Sequence, residues 1–167
     1  MSNNIVGHIV RFSVLILLQV LVLNHINFLG HINPYLYILF IILYPTANNR
    51  ATFLLLSFLL GITIDMFSDS GGVHAAAAVT IAFIRPVVLK FSFGSVYEHQ
   101  TMRFGNVEFG SMFTYITILT IVHHFILFSL EVFNVLEIIL ILKKTLFSSI
   151  FTILLCIITN IIFSRRH

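Results

Sequence analysis

The stretch from Ala51 to Phe91, ATFLLLSFLLGITIDMFSDSGGVHAAAAVTIAFIRPVVLKF, consists of two apolar runs joined by a short polar segment. Each run is close to the length of about 20 residues that an α-helix needs to cross a lipid bilayer. The polar segment holds two adjacent glycines, which permit a tight turn with positive φ angles. The stretch therefore predicts a helical hairpin that crosses the membrane twice and turns at one of its surfaces.

The composition of the whole chain also indicates a membrane protein. Of the 167 residues, 9% are charged and 59% are hydrophobic, and the mean hydropathy is +1.06. A soluble domain carries about 25% charged residues, and a chain of this size cannot hide so much apolar surface from water. These figures exclude a soluble globular domain, a disordered chain and a nucleic-acid-binding protein. The single cysteine, Cys156, excludes an intrachain disulfide.

Six apolar stretches are candidates for membrane spans. They are Phe12–Leu29, Ile32–Ala47, Ala51–Phe67, Val73–Phe91, Ser111–Leu130 and Leu146–Phe163. The second stretch is short, and short apolar runs can be re-entrant. The first resembles a signal-peptide core, but no small-residue cleavage site follows it, so we expect a retained anchor. The sequence thus predicts an all-α, polytopic membrane protein, a six-helix transmembrane bundle that forms a single domain over residues 1–167.

The positions of lysine and arginine predict the orientation of this bundle. With six spans, the side that holds both termini carries six of these residues, and the other side carries two, Lys143 and Lys144. The six are Arg11, Arg50, Lys90, Arg103, Arg165 and Arg166. Without the second span, the split becomes five against three. Because basic residues are enriched on the cytoplasmic side, we expect six spans with both termini in the cytoplasm.

The segment from Val132 to Leu142 is apolar but short, and it runs into Lys143 and Lys144. Joining it to the sixth span would place two lysines inside one helix, at about 2.5–3.5 kcal/mol each on insertion scales. We therefore expect a separate helix that lies at the outer interface. The polar segment from Ser92 to Gly110 is expected to be a cytoplasmic loop.

The polar residues around the predicted turn are the main candidates for a functional site. They are Gly61, Asp65, Asp69, Gly71, Gly72 and Ala75. Gly61 and Asp65 are four residues apart and share one helix face, and the alanine run that starts at Ala75 permits close helix packing. An acidic residue near the end of a membrane helix is a functional hypothesis by default. The alternative is that Asp65 and Asp69 lie in interfacial water, with Asp69 capping the loop.

Other polar residues within the spans suggest structural roles. Arg85 lies about 9 Å along the helix from Phe91, so we expect its side chain to snorkel to the cytoplasmic interface. His123 and His124 point about 100° apart on a helix and cannot chelate one metal as a pair, so we expect hydrogen bonds across helices. Without an H-E-x-x-H, a G-x-S-x-G or a Gly-rich phosphate loop, we expect no catalytic residue, metal or cofactor.

The hairpin motif resembles the MreD family of rod shape-determining proteins. The shared features are a G-x-x-x-D signature, a turn that contains glycine and a helix that begins with small residues. In this chain they are Gly61, Asp65, Gly71, Gly72 and Ala75. The chain length and the six hydrophobic spans are similar as well, so the resemblance covers nearly the whole chain. One departure is Ile62, where the family often has leucine.

The resemblance implies a non-catalytic subunit of the bacterial cell-elongation (rod) complex. Such a subunit would lie in the inner membrane and support lateral peptidoglycan synthesis and cell shape through other proteins. The implied partners are an MreC-like bitopic membrane protein, the glycosyltransferase and transpeptidase of the complex, and an MreB-like filament, contacted directly or through another subunit. Membrane lipid surrounds the protein, and no nucleic acid is expected.

Two other functions remain as alternatives. The MreD family is similar in fold to the S-components of energy-coupling-factor transporters, so a small-molecule-binding S-component is the first alternative. It would need a polar pocket that opens outward, which Asn24, His25, Thr63 and Asp65 are candidates to line. The second alternative, a membrane enzyme, is disfavoured because the sequence lacks paired acid–base or nucleophilic groups at a workable spacing.

Overall fold

The protein is all-helical over the residues that its computed structural model describes, which are 2–26, 33–46, 49–94 and 107–164. Within these ranges the α-helices are α1 (Ser2–Leu21), α2 (Ile38–Ile42), α3 (Arg50–Ser68), α4 (Val73–Phe93), α5 (Phe109–Val132) and α6 (Ile138–Ser164). Short 3₁₀ turns lie at Leu23–His25 and Val135–Glu137. Every helix except α2 belongs to a segment that is long and apolar enough to cross a membrane. The predicted all-α, polytopic architecture is therefore confirmed.

Sequence neighbours pack side by side in the second half of the chain: α3 against α4, α4 against α5, and α5 against α6. We call the end of the bundle that holds the α3–α4 turn the turn end. Large apolar side chains such as Leu55, Phe83, Val87 and Leu154 remain more than half exposed on the outer faces. Lipid is the solvent that suits such a surface, because the outside of the bundle is as apolar as its core.

The second predicted span is not a continuous spanning helix. Its described part, residues 33–46, contains only the five-residue helix α2, flanked by non-helical backbone. It nevertheless runs the length of the bundle, because Asn33 lies at the turn end and Tyr44 stacks on Phe53 near the start of α3, with ring centres 4.8 Å apart. We call residues 33–46 the crossing segment. With it, the described residues pass six times between the two ends of the bundle.

The crossing segment lies inside the bundle rather than against lipid. Tyr37, Ile38, Ile41 and Ile42 are 0% exposed. Non-helical backbone is tolerated at membrane depth only where protein or a cavity surrounds it, because its N–H and C=O groups need partners. The other five passes provide that enclosure, and polar side chains on them provide the partners.

The prediction of a separate interfacial helix between α5 and the last span is wrong. Helix α6 begins at Ile138 and continues without interruption through Lys143 and Lys144 to Ser164. The lysines are tolerated because they lie in the second turn of α6, and because Lys144 forms an ion pair with Glu131, with 2.9 Å between Nζ and Oε1. Ionisable side chains within membrane segments usually pair with one another in this way.

Several sequence-based predictions lie outside the described residues. These concern Leu29, Ile32, Ala47, most of the predicted cytoplasmic loop including Arg103, and the terminal Arg165 and Arg166. The described ends of that loop show that α4 continues to Phe93 and that α5 begins at Phe109.

Candidate functional site: the hairpin joint and the pocket beside it

Asp65 is buried at the turn between α3 and α4, with 4% of its surface exposed. Its carboxylate accepts hydrogen bonds from the Ser70 hydroxyl (2.6 Å) and from the backbone N–H groups of His74 (3.0 Å) and Ala75 (2.8 Å). N–H groups in the first turn of a helix have no acceptor within that helix, and Gly72, which precedes α4, has no side chain to supply one. Asp65 therefore caps α4 from the neighbouring helix, where its charge interacts favourably with the helix dipole.

This geometry excludes one of the two interpretations of Asp65. The interpretation as a water-exposed interfacial residue is wrong, because the carboxylate is buried and hydrogen-bonded. Its donors belong to this chain, so the charge stabilises the hairpin itself. Asp69 differs, because its side chain is exposed and its backbone, with a φ of +50°, ends α3 by donating an N–H to the Asp65 carbonyl. Asp69 thus ends α3 through its backbone conformation, and a capping role for its side chain stays a prediction.

Gly61 lies where α3 and α4 approach most closely. A Cβ atom at this position would lie 2.6 Å from the Ala75 nitrogen and 2.7 Å from the His74 oxygen, which is too close for any side chain. Only glycine therefore permits the contact that brings the Asp65 carboxylate to the first turn of α4. We call Gly61, Asp65 and Ala75, with the turn between them, the hairpin joint.

The paired glycines of the turn adopt the predicted backbone conformation. Gly71 has a φ of +67° and Gly72 a φ of +97°, which L-residues with a side chain rarely adopt. A Cβ atom at either position would meet no heavy atom within 4 Å. These two glycines are therefore needed for their φ angles, whereas Gly61 is needed for space.

Arg85 does not snorkel to the interface, and that prediction is wrong. It is 3% exposed, and its guanidinium donates hydrogen bonds to the Tyr115 hydroxyl (2.7 Å), the Ile42 carbonyl (3.2 Å) and the Tyr44 carbonyl. The guanidinium carbon also lies 5.0 Å from the centre of the Phe53 ring. Carbonyls at the end of a helix lack partners within it, so Arg85 provides donors to the end of α2 inside the bundle.

The other residues that hold the crossing segment could not be recognised by a motif in the sequence. Gln19, on α1 and 0% exposed, donates to the Pro34 carbonyl (3.0 Å) and accepts from the Tyr37 N–H (3.4 Å). Thr152, on α6, accepts from the Tyr35 N–H (3.0 Å). The available signal was a polar residue in the middle of an apolar span, the same signal that singled out Arg85.

A buried network of histidine and tyrosine side chains extends from the joint into the core. The Tyr37 hydroxyl is hydrogen-bonded to His74 Nδ1 (3.0 Å) and to His123 Nε2 (2.7 Å). His124 contacts the Thr120 carbonyl through Nδ1 (2.8 Å) and the Thr152 hydroxyl through Nε2 (3.2 Å). The prediction that His123 and His124 bond across helices is confirmed.

A pocket of about 510 Å³ opens at the turn end, next to the hairpin joint. Its polar lining includes Asn24, His25, Ser70, His74 and Glu131, and the Tyr35 ring forms part of its wall. Two of the four residues considered for such a pocket, Asn24 and His25, do line it. Asp65 and Thr63 are not among the lining residues, because Asp65 is used by the joint and Thr63 donates to the Leu59 carbonyl (2.7 Å).

Comparison of the chain with protein-family models, curated protein sequences and solved structures finds no match.

Proposed function

We propose that the chain is a non-catalytic inner-membrane subunit of a bacterial cell-elongation complex of the MreD type. The observation that carries this proposal is the hairpin joint. The residues of the G-x-x-x-D signature act together there, because Gly61 supplies the space and Asp65 the cap that fix α4 against α3. A motif with one coherent physical role is a stronger basis for the resemblance than a short pattern of letters.

The polar groups of the joint support a structural rather than a catalytic role. The Asp65 carboxylate, the Ser70 hydroxyl and the first N–H groups of α4 are hydrogen-bonded to one another. A rigid hairpin of this kind would present the apolar outer faces of α3 and α4 in a fixed arrangement to membrane partners. In the proposed complex those partners are an MreC-like bitopic protein and the glycosyltransferase and transpeptidase, with an MreB-like filament contacted directly or through them.

Depletion of the protein in a rod-shaped bacterium that encodes it tests this function. We expect depleted cells to become round and to lose lateral incorporation of a fluorescent D-amino acid, and we expect the tagged chain to co-purify with the MreC-like protein of that host. A plasmid copy of the wild-type gene is the control. Rod shape and normal lateral incorporation in depleted cells would contradict the proposal.

The pocket favours a second candidate function, the substrate-binding S-component of an energy-coupling-factor transporter. A polar pocket of about 510 Å³ at one end of a membrane bundle is within the size range of small-molecule sites. Co-purification with a transporter ATPase module, instead of the MreC-like protein, would favour this function. Genome context distinguishes the two functions as well. A neighbouring gene for a periplasmic coiled-coil protein would favour the elongation complex, and one for a transporter ATPase would favour the S-component.

A further inference from the structure

We propose that the pocket at the turn end binds a small polar molecule that carries a primary ammonium group. The proposal goes beyond a role in cell elongation. It rests on the second candidate function, the binding of a small molecule, and it adds the chemical class of that molecule. Three features of the pocket lead to it: the charge of its lining, the acceptors that the lining offers, and the tautomer of one buried histidine.

The charged side chains that line the pocket are acidic. Asp69 and Glu131 are both among its lining residues, whereas no lysine or arginine of the described ranges is. Lys144 binds Oε1 of Glu131 at 2.9 Å, which leaves Oε2 of that carboxylate for a ligand. In a partly enclosed site, a carboxylate and an ammonium group attract each other more strongly than in bulk water. The lining therefore favours a cation over an anion.

The lining also offers acceptors that suit an ammonium group. The Ser70 hydroxyl donates its proton to Asp65, so its oxygen can only accept from a ligand. The Asn24 amide donates to the Ser68 hydroxyl (3.0 Å) and accepts from Gln19 (2.8 Å), so part of its capacity is used within the chain. A primary ammonium has three N–H donors and no acceptor, and it matches a lining of carboxylates and a hydroxyl oxygen. The rings of Tyr35 and Phe67 add aromatic faces, which attract cations.

His74 supplies a donor to the same pocket. It is 5% exposed, lines the pocket, and uses Nδ1 for the hydrogen bond to Tyr37. Tyr37 donates one proton, either to His74 Nδ1 or to His123 Nε2. If it donated to His123, the proton of that ring would lie on Nδ1, which is buried and has no hydrogen-bond partner. A buried N–H without an acceptor is rarer than a buried acceptor without a donor.

The geometry therefore favours one direction for this chain of hydrogen bonds. His123 Nε2 donates to the Tyr37 oxygen, and the Tyr37 hydroxyl donates to His74 Nδ1. The remaining proton of His74 then lies on Nε2 and is available to an oxygen atom of the ligand. A ligand that combines an ammonium group with an oxygen acceptor meets both requirements. The two obvious sources are a free amino alcohol or amino sugar, whose acceptor is a hydroxyl oxygen, and the phosphoethanolamine headgroup of a lipid, whose acceptor is a phosphate oxygen.

Three sugars that differ in one group test the proposal on the purified full-length chain in detergent. Glucosamine carries the ammonium group, glucose is neutral and glucuronate is anionic, and calorimetric titration measures each at a pH that keeps the amine protonated. We expect glucosamine to bind at least about tenfold more tightly than glucose, a difference of about 1.4 kcal/mol, and glucuronate to bind least. Equal binding of glucosamine and glucose, or no binding of glucosamine, would overturn the proposal.

Charge variants place the ligand in this pocket. Glu131→Gln should weaken glucosamine binding about tenfold, because a charged hydrogen bond is lost. Glu137→Gln is the matched control, since Glu137 lies on the exposed segment that follows α5 and outside the pocket lining, and it should leave binding unchanged. Lys144→Met should strengthen binding, because it removes a competing cation while keeping an apolar side chain near Phe128, whose ring centre lies 5.5 Å from Nζ. If Lys144 serves only to hold the pocket in shape, Lys144→Met should weaken binding instead.

Reconstitution in lipid nanodiscs distinguishes the two sources of the ammonium group. If phosphatidylethanolamine abolishes glucosamine binding and phosphatidylcholine does not, the pocket takes the lipid headgroup. If neither lipid competes, it takes a free ligand. These titrations are independent of the co-purification experiment, so a chain that co-purifies with a transporter ATPase but does not prefer glucosamine would refute the ligand class and leave the second candidate function standing.

Discussion

Asp65 and Arg85 are ionisable side chains that are buried in the bundle and hydrogen-bonded to its backbone. Asp65→Ala would leave the His74 and Ala75 N–H groups and the Ser70 hydroxyl without their acceptor. We expect a loss of about 1–3 kcal/mol in the free energy of unfolding, measured by denaturation in detergent. Asp65→Asn should cost less, because the amide keeps one acceptor oxygen.

Asp69→Asn is the matched control for Asp65. Asp69 is the exposed neighbouring carboxylate, and asparagine tolerates the positive φ of this position. We expect a change within about 0.5 kcal/mol, as for most surface substitutions. If Asp65→Ala unfolds at the same denaturant concentration as Asp69→Asn, the capping role of Asp65 is refuted. In the proposed elongation complex, Asp65→Ala should also reduce recovery of the MreC-like partner at matched expression.

Arg85→Lys should not be silent, contrary to what a snorkelling arginine would predict. The guanidinium donates to one hydroxyl and two carbonyls at once, and an ammonium group does not reproduce that planar arrangement. We expect a loss of about 1–3 kcal/mol in the free energy of unfolding, because buried acceptors are left without donors. Arg50→Lys is the control, since Arg50 is exposed and its guanidinium carbon lies 5.0 Å from the centre of the Phe83 ring. Equal stability of the two variants would restore the snorkelling interpretation.

At the scale of secondary-structure elements, the α3–α4 hairpin depends on the absence of a side chain at Gly61. Gly61→Ala would place a methyl group against the backbone of α4, and we expect it to cost about 1–3 kcal/mol, as overpacking of a core usually does. Gly7→Ala is the matched control, because a Cβ atom there meets nothing within 4 Å. In the helix interior that control should stabilise the protein by about 0.5–1 kcal/mol. Stabilisation by both variants would show that α3 and α4 have room to separate.

The hairpin is also the element that could be predicted best from sequence, and the reason is that its determinants are local. The apolar runs, the paired glycines and the G-x-x-x-D spacing all lie between residues 51 and 91. The crossing segment could not be predicted in this way. The side chains that bind its backbone are distant in sequence, because Gln19 lies 15 residues from Pro34 and Thr152 lies 117 residues from Tyr35. The continuity of α6 likewise depends on Glu131, which lies 13 residues before Lys144.

On the scale of the whole molecule, the bundle has an apolar exterior and hydrogen-bonded polar side chains in its interior. Near the turn end, these polar side chains are those of the hairpin joint, His74, Tyr37 and His123. Farther from the turn end, Arg85 donates to the carbonyl of Ile42 in the crossing segment. Hydropathy indicates only that a span exists. It does not distinguish a lipid-facing helix from an enclosed segment, because both are apolar, and for this reason the second span was predicted as a helix. The polar side chains inside the spans carry the information that distinguishes them.

The orientation of the bundle determines which compartment supplies the pocket, and accessible cysteines can measure it. The native Cys156 is 0% exposed, so it should react little with a membrane-impermeant maleimide. Glu137→Cys introduces a thiol at the turn end, and Lys90→Cys introduces one near the opposite end of α4. From the excess of lysine and arginine on the side of the termini, we expect Glu137→Cys to be labelled in intact cells and Lys90→Cys only after permeabilisation. The reverse pattern would place the termini outside and the pocket in the cytoplasm, where a periplasmic partner could not reach the turn end.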